Sequence, residues 1–147
     1  MSNTGYCSLI IQGDDLDLDL IAETIKIEVS EKRKKGELIN SIIGEASSDF
    51  IRFDEKVKGK YNPDETLIML LNKLMDNEAF LGNMRKNTCI YMKCYVQSDY
   101  AQINFTLSTR TLYRIAQLGI DLEVSILSWG GVKDRKNKKR VRRKVIK

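Results

Sequence analysis

The segment from Ile10 to Ile21, IIQGDDLDLDLI, places four carboxylates between two apolar runs, at Asp14, Asp15, Asp17 and Asp19. Such a cluster could bind a divalent cation or supply an acid–base pair. An EF-hand calcium loop that starts at Asp15 needs glycine at its sixth position and glutamate at its twelfth. Leu20 and Lys26 occupy those positions, so the calcium pattern fails at its two most discriminating points.

The same segment also fits the corner at which a strand leads into a helix. Asp17 is placed to cap the helix that begins at Leu18, and Asp19 in the first turn favours the helix dipole. Paired-carboxylate catalysis would need a second acid from elsewhere in the chain. We therefore predict no metal site and no cofactor here, and we treat Asp14 and Asp15 as candidates for an acidic partner-binding edge.

Nucleophilic chemistry has few candidates in this sequence, because the chain contains no histidine. Without histidine, the Ser–His and Cys–His pairs are excluded and the commonest zinc ligand is absent. Cys89 and Cys94 lie five positions apart in one predicted strand, so their side chains are expected on opposite faces as buried structural thiols. We predict that the protein is not an enzyme.

The spacing of apolar residues predicts six strands and three helices. The helices are expected to follow the caps Asp17, Asn62 and Ser108, the second with a kink near Asp76. The charged segment 31–37 is expected to be a loop, and the next two strands to form a hairpin. The strands are expected at residues 6–12, 37–45, 49–57, 89–96, 101–107 and 121–129.

The order β-α-β-β-α-β-β-α-β begins with the elements of a ferredoxin-like fold. We predict an α+β domain over residues 1–130, with a mostly antiparallel sheet and about three helices on one face. The other face would then be open, bearing Tyr91, Tyr95 and Asn104 as candidates for protein binding or as an ordinary solvated surface. Trp129 is either the last core residue of the closing strand or an exposed anchor for a partner. The other polar residues predicted on this face are Lys93, Gln97, Gln102 and Thr106.

The charge is divided unequally along the chain. Residues 1–130 carry 15 cationic and 19 anionic side chains, whereas residues 131–147 carry ten cationic and one anionic. This basic tail, expected to be flexible, could contact nucleic acid, another anionic surface, or only solvent. The residues proposed to contact nucleic acid are Lys133, Arg135, Lys136, Lys138, Lys139, Arg140, Arg142, Arg143 and Lys144.

The sequence contains neither an apolar run long enough to cross a membrane nor a signal-peptide pattern at its start. Its three cysteines are an odd number without metal-type spacing, which is typical of free thiols in a reducing compartment. We therefore expect a soluble, cytoplasmic protein without a membrane partner.

Several segments taken in order resemble the bacterial family called domain of unknown function 4279, over roughly residues 6–129. The most family-like are GDDLD at residues 13–17 and the strand–helix–strand unit from Phe105 to Ile126, containing LSTRTLYRIAQLGIDLEV. This sequence departs from the family pattern in two places. Members often carry proline near the first helix, but here Pro63 is the only proline, and the basic tail is foreign to the family. The remaining matches are SLIIQGDDLDLDLIAETIKI, KKGE, NPDETLIMLLNKL and IYMKCYVQSDYAQINF.

The resemblance implies an α+β domain without an established enzyme activity. It also implies an immunity role, because some relatives occur near bacterial toxin genes. Together with the missing catalytic apparatus, this predicts a non-enzymatic protein-binding module, an immunity or antitoxin protein that neutralises a bacterial toxin. The alternative is a nucleic-acid-associated accessory protein that acts through the basic tail.

Overall fold

The computed structural model describes residues 4–56, 60–99 and 102–128. The strands are β1 (Thr4–Gly13), β2 (Glu31–Arg33), β3 (Leu38–Asn40), β4 (Gly44–Glu45), β5 (Asp49–Glu55), β6 (Cys89–Ser98) and β7 (Asp121–Ser128). The helices are α1 (Leu18–Ile25), α2 (Pro63–Leu74), α3 (Glu78–Met84) and α4 (Thr109–Leu118), and a 3₁₀ turn at Met75–Asn77 joins α2 to α3. Within the described ranges, no helix has both the length and the apolar character needed to span a membrane.

Five of the strands form one sheet in the order β2-β5-β1-β6-β7. β1 is antiparallel to both neighbours, β5 and β6, and β2 is antiparallel to β5. β7 is parallel to β6. β3 and β4 pair with each other in a separate two-stranded sheet. The predicted α+β class with a mostly antiparallel sheet is confirmed.

All the helices lie on one face of this sheet, and the chain path explains why. α1 leads from β1 to the parallel β2, with β5 between them, while α2 and α3 lead from β5 to the parallel β6, with β1 between them. α4 leads from β6 to the parallel β7. β1, where the first crossover starts, runs opposite to β5 and β6, where the other two start, and the first crossover also moves across the sheet in the opposite direction. A half-turn about an axis perpendicular to the sheet therefore relates the first crossover to the other two. Crossovers of one hand, which proteins almost always use, therefore place every helix on the same face.

One apolar core fills the space between the sheet and the helices. It contains alternate residues of the central strands, among them Leu9, Phe53 and Met92, each fully buried. The apolar face of α2, formed by Leu67, Leu70, Leu71 and Leu74, is also fully buried in this core.

The helix boundaries follow the predicted caps. The Asp17 carboxylate accepts a hydrogen bond from Leu20 N at 3.1 Å, and the Asn62 side chain accepts from Asp64 N at 3.1 Å and from Glu65 N at 3.3 Å. Ser108 Oγ accepts from Thr111 N at 3.2 Å, and Gly119 ends α4 with a positive φ of 66°. The 3₁₀ turn after α2 is the predicted kink near Asp76.

Three local predictions were wrong. Residues 102–107 form no strand, although Ile103, Phe105 and Leu107 pack partly against the core. The charged segment 31–37 is not only a loop, because its first three residues form the edge strand β2. The hairpin forms within residues 38–45, between β3 and β4, whereas β5 joins the main sheet.

Candidate protein-binding face

The sheet face opposite the helices is called the open face, because none of the described helices packs against it. Strand register determines its membership, since side chains alternate between faces and residues paired across strands share a face. Four rows of paired residues cross the strands. They are Glu31–Arg52–Ile10–Tyr91–Asp121, Asp54–Ser8–Lys93–Glu123, Tyr6–Tyr95–Ser125 and Arg33–Phe50–Gln12–Cys89, and a fifth row, Thr4–Gln97–Leu127, lies at one end of the face.

A network of ion pairs covers the β2–β5 side of the open face. The Glu31 carboxylate lies 3.0 Å from Arg33 Nη1 and 2.9 Å from Arg52 Nη1, so one acid joins two guanidinium groups. Arg52 Nε is also 3.0 Å from Asp54 Oδ1, which accepts a hydrogen bond from Ser8 Oγ. The Glu31–Arg52 and Asp54–Ser8 contacts join adjacent strands, and the Glu31–Arg33 and Arg52–Asp54 contacts lie within one strand.

Aromatic side chains fill the spaces between these charges. Tyr6 and Tyr95 stack with ring centroids 5.2 Å apart and an angle of 28° between the rings. The guanidinium of Arg52 lies 6.0 Å from the Tyr6 centroid, and that of Arg33 lies 4.6 Å from the centroid of Phe50. These distances are within the range of cation–π attraction.

The open face is thus an ordered layer of half-buried side chains and not a row of mobile surface groups. Beneath them, Ser8 and Ile10 are buried. Ile10 is not part of the core cluster, which agrees with its position on the opposite side of the sheet. Rigid tyrosines and arginines dominate the binding energy of many protein interfaces.

The structure separates the six residues predicted to bind a partner. Tyr91 and Tyr95 lie on the open face, in β6. Asn104 is exposed beside the first turn of α2, where it lines a shallow groove with Asn62 and Asp64.

Asp14 and Asp15 form an exposed corner at the end of β1, near a buried carboxylate. Asp49 accepts hydrogen bonds from Lys35 N at 2.7 Å, Leu16 N at 2.9 Å and Lys34 Nζ at 3.1 Å. The backbone N–H groups of Lys35 and Leu16 lower the pKa of Asp49 to about 2, with a smaller contribution from Lys34. Asp14 Oδ1 lies 3.8 Å from Lys35 Nζ, so an ion pair joins the exposed corner to residues 34–35, which Asp49 binds through hydrogen bonds.

A family model described as a domain of unknown function (DUF4279) matches residues 3–129. The chain belongs to this family. The match includes every strand and helix of the structure, so the DUF4279 domain contains the whole open face. No curated protein and no solved structure matches the chain.

Two features of this DUF4279 domain were not predicted from the sequence. Arg33 and Arg52 were not recognised as neighbours on the open face, because the first was assigned to a loop and the strand of the second was expected to pair with residues 37–45. The exposed apolar cluster of the β3–β4 hairpin was also not predicted, because residues 37–45 were expected to form one strand, and Leu38, Ile42 and Ile43 are 72%, 94% and 66% exposed. An exposed apolar cluster of this kind is typical of a protein interaction site.

Two of the three thiols lie in the core of the DUF4279 domain. Cys7 and Cys94 are opposite each other in β1 and β6, and the Tyr61 hydroxyl lies 3.5 Å and 3.6 Å from their sulfur atoms. Hydrogen bonds with Cys7 and Tyr61 lower the pKa of Cys94 to about 7, whereas the bond with Cys94 and burial raise the pKa of Cys7. Both thiols are fully buried, as expected for structural cysteines, but Cys89 is exposed, so that prediction was wrong for Cys89.

In the part of the chain that the structure describes, no group of three or more cysteine, aspartate or glutamate side chains could hold a metal ion. Trp129 lies outside the described residues. The same is true of the nine tail residues proposed to contact nucleic acid, from Lys133 to Lys144.

Proposed function

We propose that this DUF4279 protein is a non-enzymatic protein-binding module and that the open face is its interface. The observation that carries the proposal is the layer of Tyr6, Tyr95, Arg33 and Arg52, held half-buried by cross-strand contacts on a face that no described helix covers. Tyrosine and arginine are among the residues most enriched at energetic hot spots of interfaces.

The order of these side chains supports the proposal energetically. A flexible side chain loses roughly 0.5–1.5 kcal/mol of conformational freedom when an interface immobilises it. The Tyr6–Tyr95 stack and the Glu31–Arg52–Asp54 ion pairs have already restricted this freedom in the free protein. Binding at the open face would therefore retain more of its contact energy than binding at a mobile surface.

The partner that we propose is a bacterial toxin, which this protein would neutralise by covering its functional surface. Residues 1–130 carry four more anionic than cationic side chains. Such a body attracts a cationic partner, such as a nuclease, and accelerates the encounter at low salt. The protein would then act as an immunity protein.

The proposal requires a toxin gene beside the gene for this protein, and the test is protection of a host cell that expresses that toxin. The wild-type protein is expected to protect, and Tyr91→Ala and Tyr95→Ala are expected to weaken binding about 30-fold each, as for hot-spot residues worth about 2 kcal/mol. Tyr113→Ala is the matched control, because Tyr113 is an exposed tyrosine on α4, outside the sheet. Calorimetric titration of purified toxin gives the affinities.

Urea unfolding of each variant must show that the domain remains folded at the assay temperature. If the wild-type protein neither binds nor neutralises the neighbouring toxin, the immunity role is refuted. If all three alanine variants bind the toxin equally well, the toxin contacts another surface, and the open face is not the interface.

A second candidate function is contact with nucleic acid through the basic tail. It is favoured by the ten cationic side chains in residues 131–147. The full chain is expected to bind labelled duplex DNA or RNA with an affinity that falls steeply as salt rises. A chain without residues 133–147 is expected to lose both the binding and its salt dependence. Equal binding by the shortened chain would refute this candidate.

A further inference from the structure

The two edges of the main sheet differ in their protection against pairing with another strand. β2, at one edge, has three residues, and all of them are charged, Glu31, Lys32 and Arg33. Short, charged edge strands are a common protection against edge-to-edge association. β7, at the other edge, has eight residues, DLEVSILS, without lysine, arginine or proline.

β7 also exposes large apolar side chains on both sides of the sheet. Val124 and Ile126, on the helix side, are 42% and 53% exposed, and Leu127, on the open face, is 49% exposed. Among the described residues, β7 pairs only with β6. Half of the residues of β7 are polar, including Asp121 and Glu123, but a long edge strand that exposes apolar side chains and contains neither lysine nor proline is a template for a further strand.

We propose that the outer edge of β7 pairs with β7 of a second copy of this chain, in antiparallel orientation about a two-fold axis perpendicular to the sheet. The two five-stranded sheets would then form one sheet of ten strands. This inference is independent of the proposed function, because it rests on β7 and not on the Tyr–Arg layer.

The sequence of β7 selects the register of this pairing. A two-fold axis perpendicular to the sheet keeps each side chain on its own face. Residues paired across the axis therefore differ by an even number of positions, and the axis lies between the two copies of one residue. With Val124 on the axis, Leu122 pairs with Ile126 of the other copy, and the helix-side residues within the paired stretch 121–127 are all apolar. In the same register Glu123 lies opposite serine, whereas an axis through Glu123 would oppose two carboxylates.

The oligomeric state of the full chain tests the proposal. Pairing through a single strand buries a small interface, so we expect a dissociation constant of about 1–100 µM. Sedimentation equilibrium over that range is expected to show a mass that rises from 16.9 kDa toward twice this value. Ile126→Lys is expected to remain monomeric, because a cationic edge residue opposes pairing. Met69→Lys, at a site on α2 with a similar exposure of 52%, is the control and is expected to dimerise.

Disulfide trapping tests the register in folded protein. In a Cys89→Ser background, which removes the exposed thiol, two Val124→Cys chains would bring their Cα atoms to about 4.5–5.5 Å across the axis. That distance suits a disulfide. Leu127→Cys is the control, because its two copies would lie roughly 20 Å apart. Diamide is expected to convert the first variant, and not the second, into a covalent dimer.

A wild-type chain that stays at 16.9 kDa throughout the range would overturn the proposal, as would a dimer that Ile126→Lys leaves intact. A monomer would indicate that another segment or another protein occupies this edge. Equal trapping of Leu127→Cys and Val124→Cys would overturn the register and show nonspecific association.

Discussion

Gly5 in β1 occupies a position at which the structure leaves no room for a side chain. A Cβ atom at Gly5 would overlap the backbone carbonyl oxygen of Tyr95 in β6, and it would lie 2.8 Å from Cε1 of Tyr61. The carbonyl belongs to the sheet backbone and cannot rotate away as a side chain could. We therefore predict that Gly5→Ala destabilises the domain and disturbs the Tyr6–Tyr95 stack.

The expected cost can be worked out from these contacts. Restoring an ordinary carbon–oxygen contact of about 3.4 Å requires β1 and β6 to separate by more than about 1 Å next to Tyr95. Such overpacking costs typically 1–3 kcal/mol. Replacing glycine also reduces the conformational entropy of the unfolded chain, which stabilises the folded state by about 0.4–1 kcal/mol. A net destabilisation of about 2 kcal/mol is expected, which lowers the urea midpoint by about 1 M for a typical slope of about 2 kcal/mol/M.

Gly13→Ala is the matched control, because Gly13 lies in the same strand and has room for a Cβ atom. A Cβ atom there would lie 3.6 Å from Thr88 Cγ2 and 3.7 Å from Leu16 Cδ2, which are ordinary contacts. Urea unfolding followed by circular dichroism should show a midpoint at or slightly above that of the wild type for Gly13→Ala. A Gly5→Ala variant as stable as the Gly13→Ala variant would refute the steric argument.

Three further predictions concern individual side chains. Because the pKa of Asp49 is lowered to about 2 from an ordinary value of 3.8, its contribution to stability is complete above about pH 4 and is lost as the pH falls toward 2. Asp49→Asn is therefore expected to flatten the fall of the urea midpoint between pH 5 and pH 2.5. Lys26 ends α1 with a positive φ of 58°, so Lys26→Gly should stabilise the domain by about 0.5–1 kcal/mol and raise the Tm in calorimetry; an unchanged Tm would contradict this. Asn62→Ala removes the cap of α2 and should cost about 1 kcal/mol in urea unfolding, whereas an unchanged midpoint would show that the cap contributes nothing.

Local sequence signals predicted the elements whose structure local chemistry determines. The caps at Asp17, Asn62 and Ser108 marked the helix starts, since a side-chain acceptor satisfies an unpaired backbone N–H within three residues. The alternation in β6 likewise predicted that Tyr91 and Tyr95 share a face, because side-chain direction in a strand depends only on position.

Elements that depend on distant partners were not predictable in this way. Residues 102–107 alternate apolar and polar side chains, yet they form no strand, because alternation reports which side chains are buried and not which backbone groups are paired. Conversely, β2 consists of charged residues and shows no strand pattern, but β5 pairs with it. The contacts among Arg33, Arg52 and Glu31 depend on that pairing, so this part of the open face could not be derived from local spacing.

The open face follows from the chain path, whereas its side chains do not. Three helical crossovers of one hand must leave the second face of the sheet without a helix, whatever residues the strands carry. A face that merely met solvent could bear short polar groups along all its strands. This face instead stacks Tyr6 on Tyr95 and places Arg33 over Phe50, contacts that lie outside the apolar core and stabilise the pairing of neighbouring strands. The chain path thus leaves the face uncovered, and the strand sequences supply the ordered aromatic and cationic side chains on which the proposed interface rests.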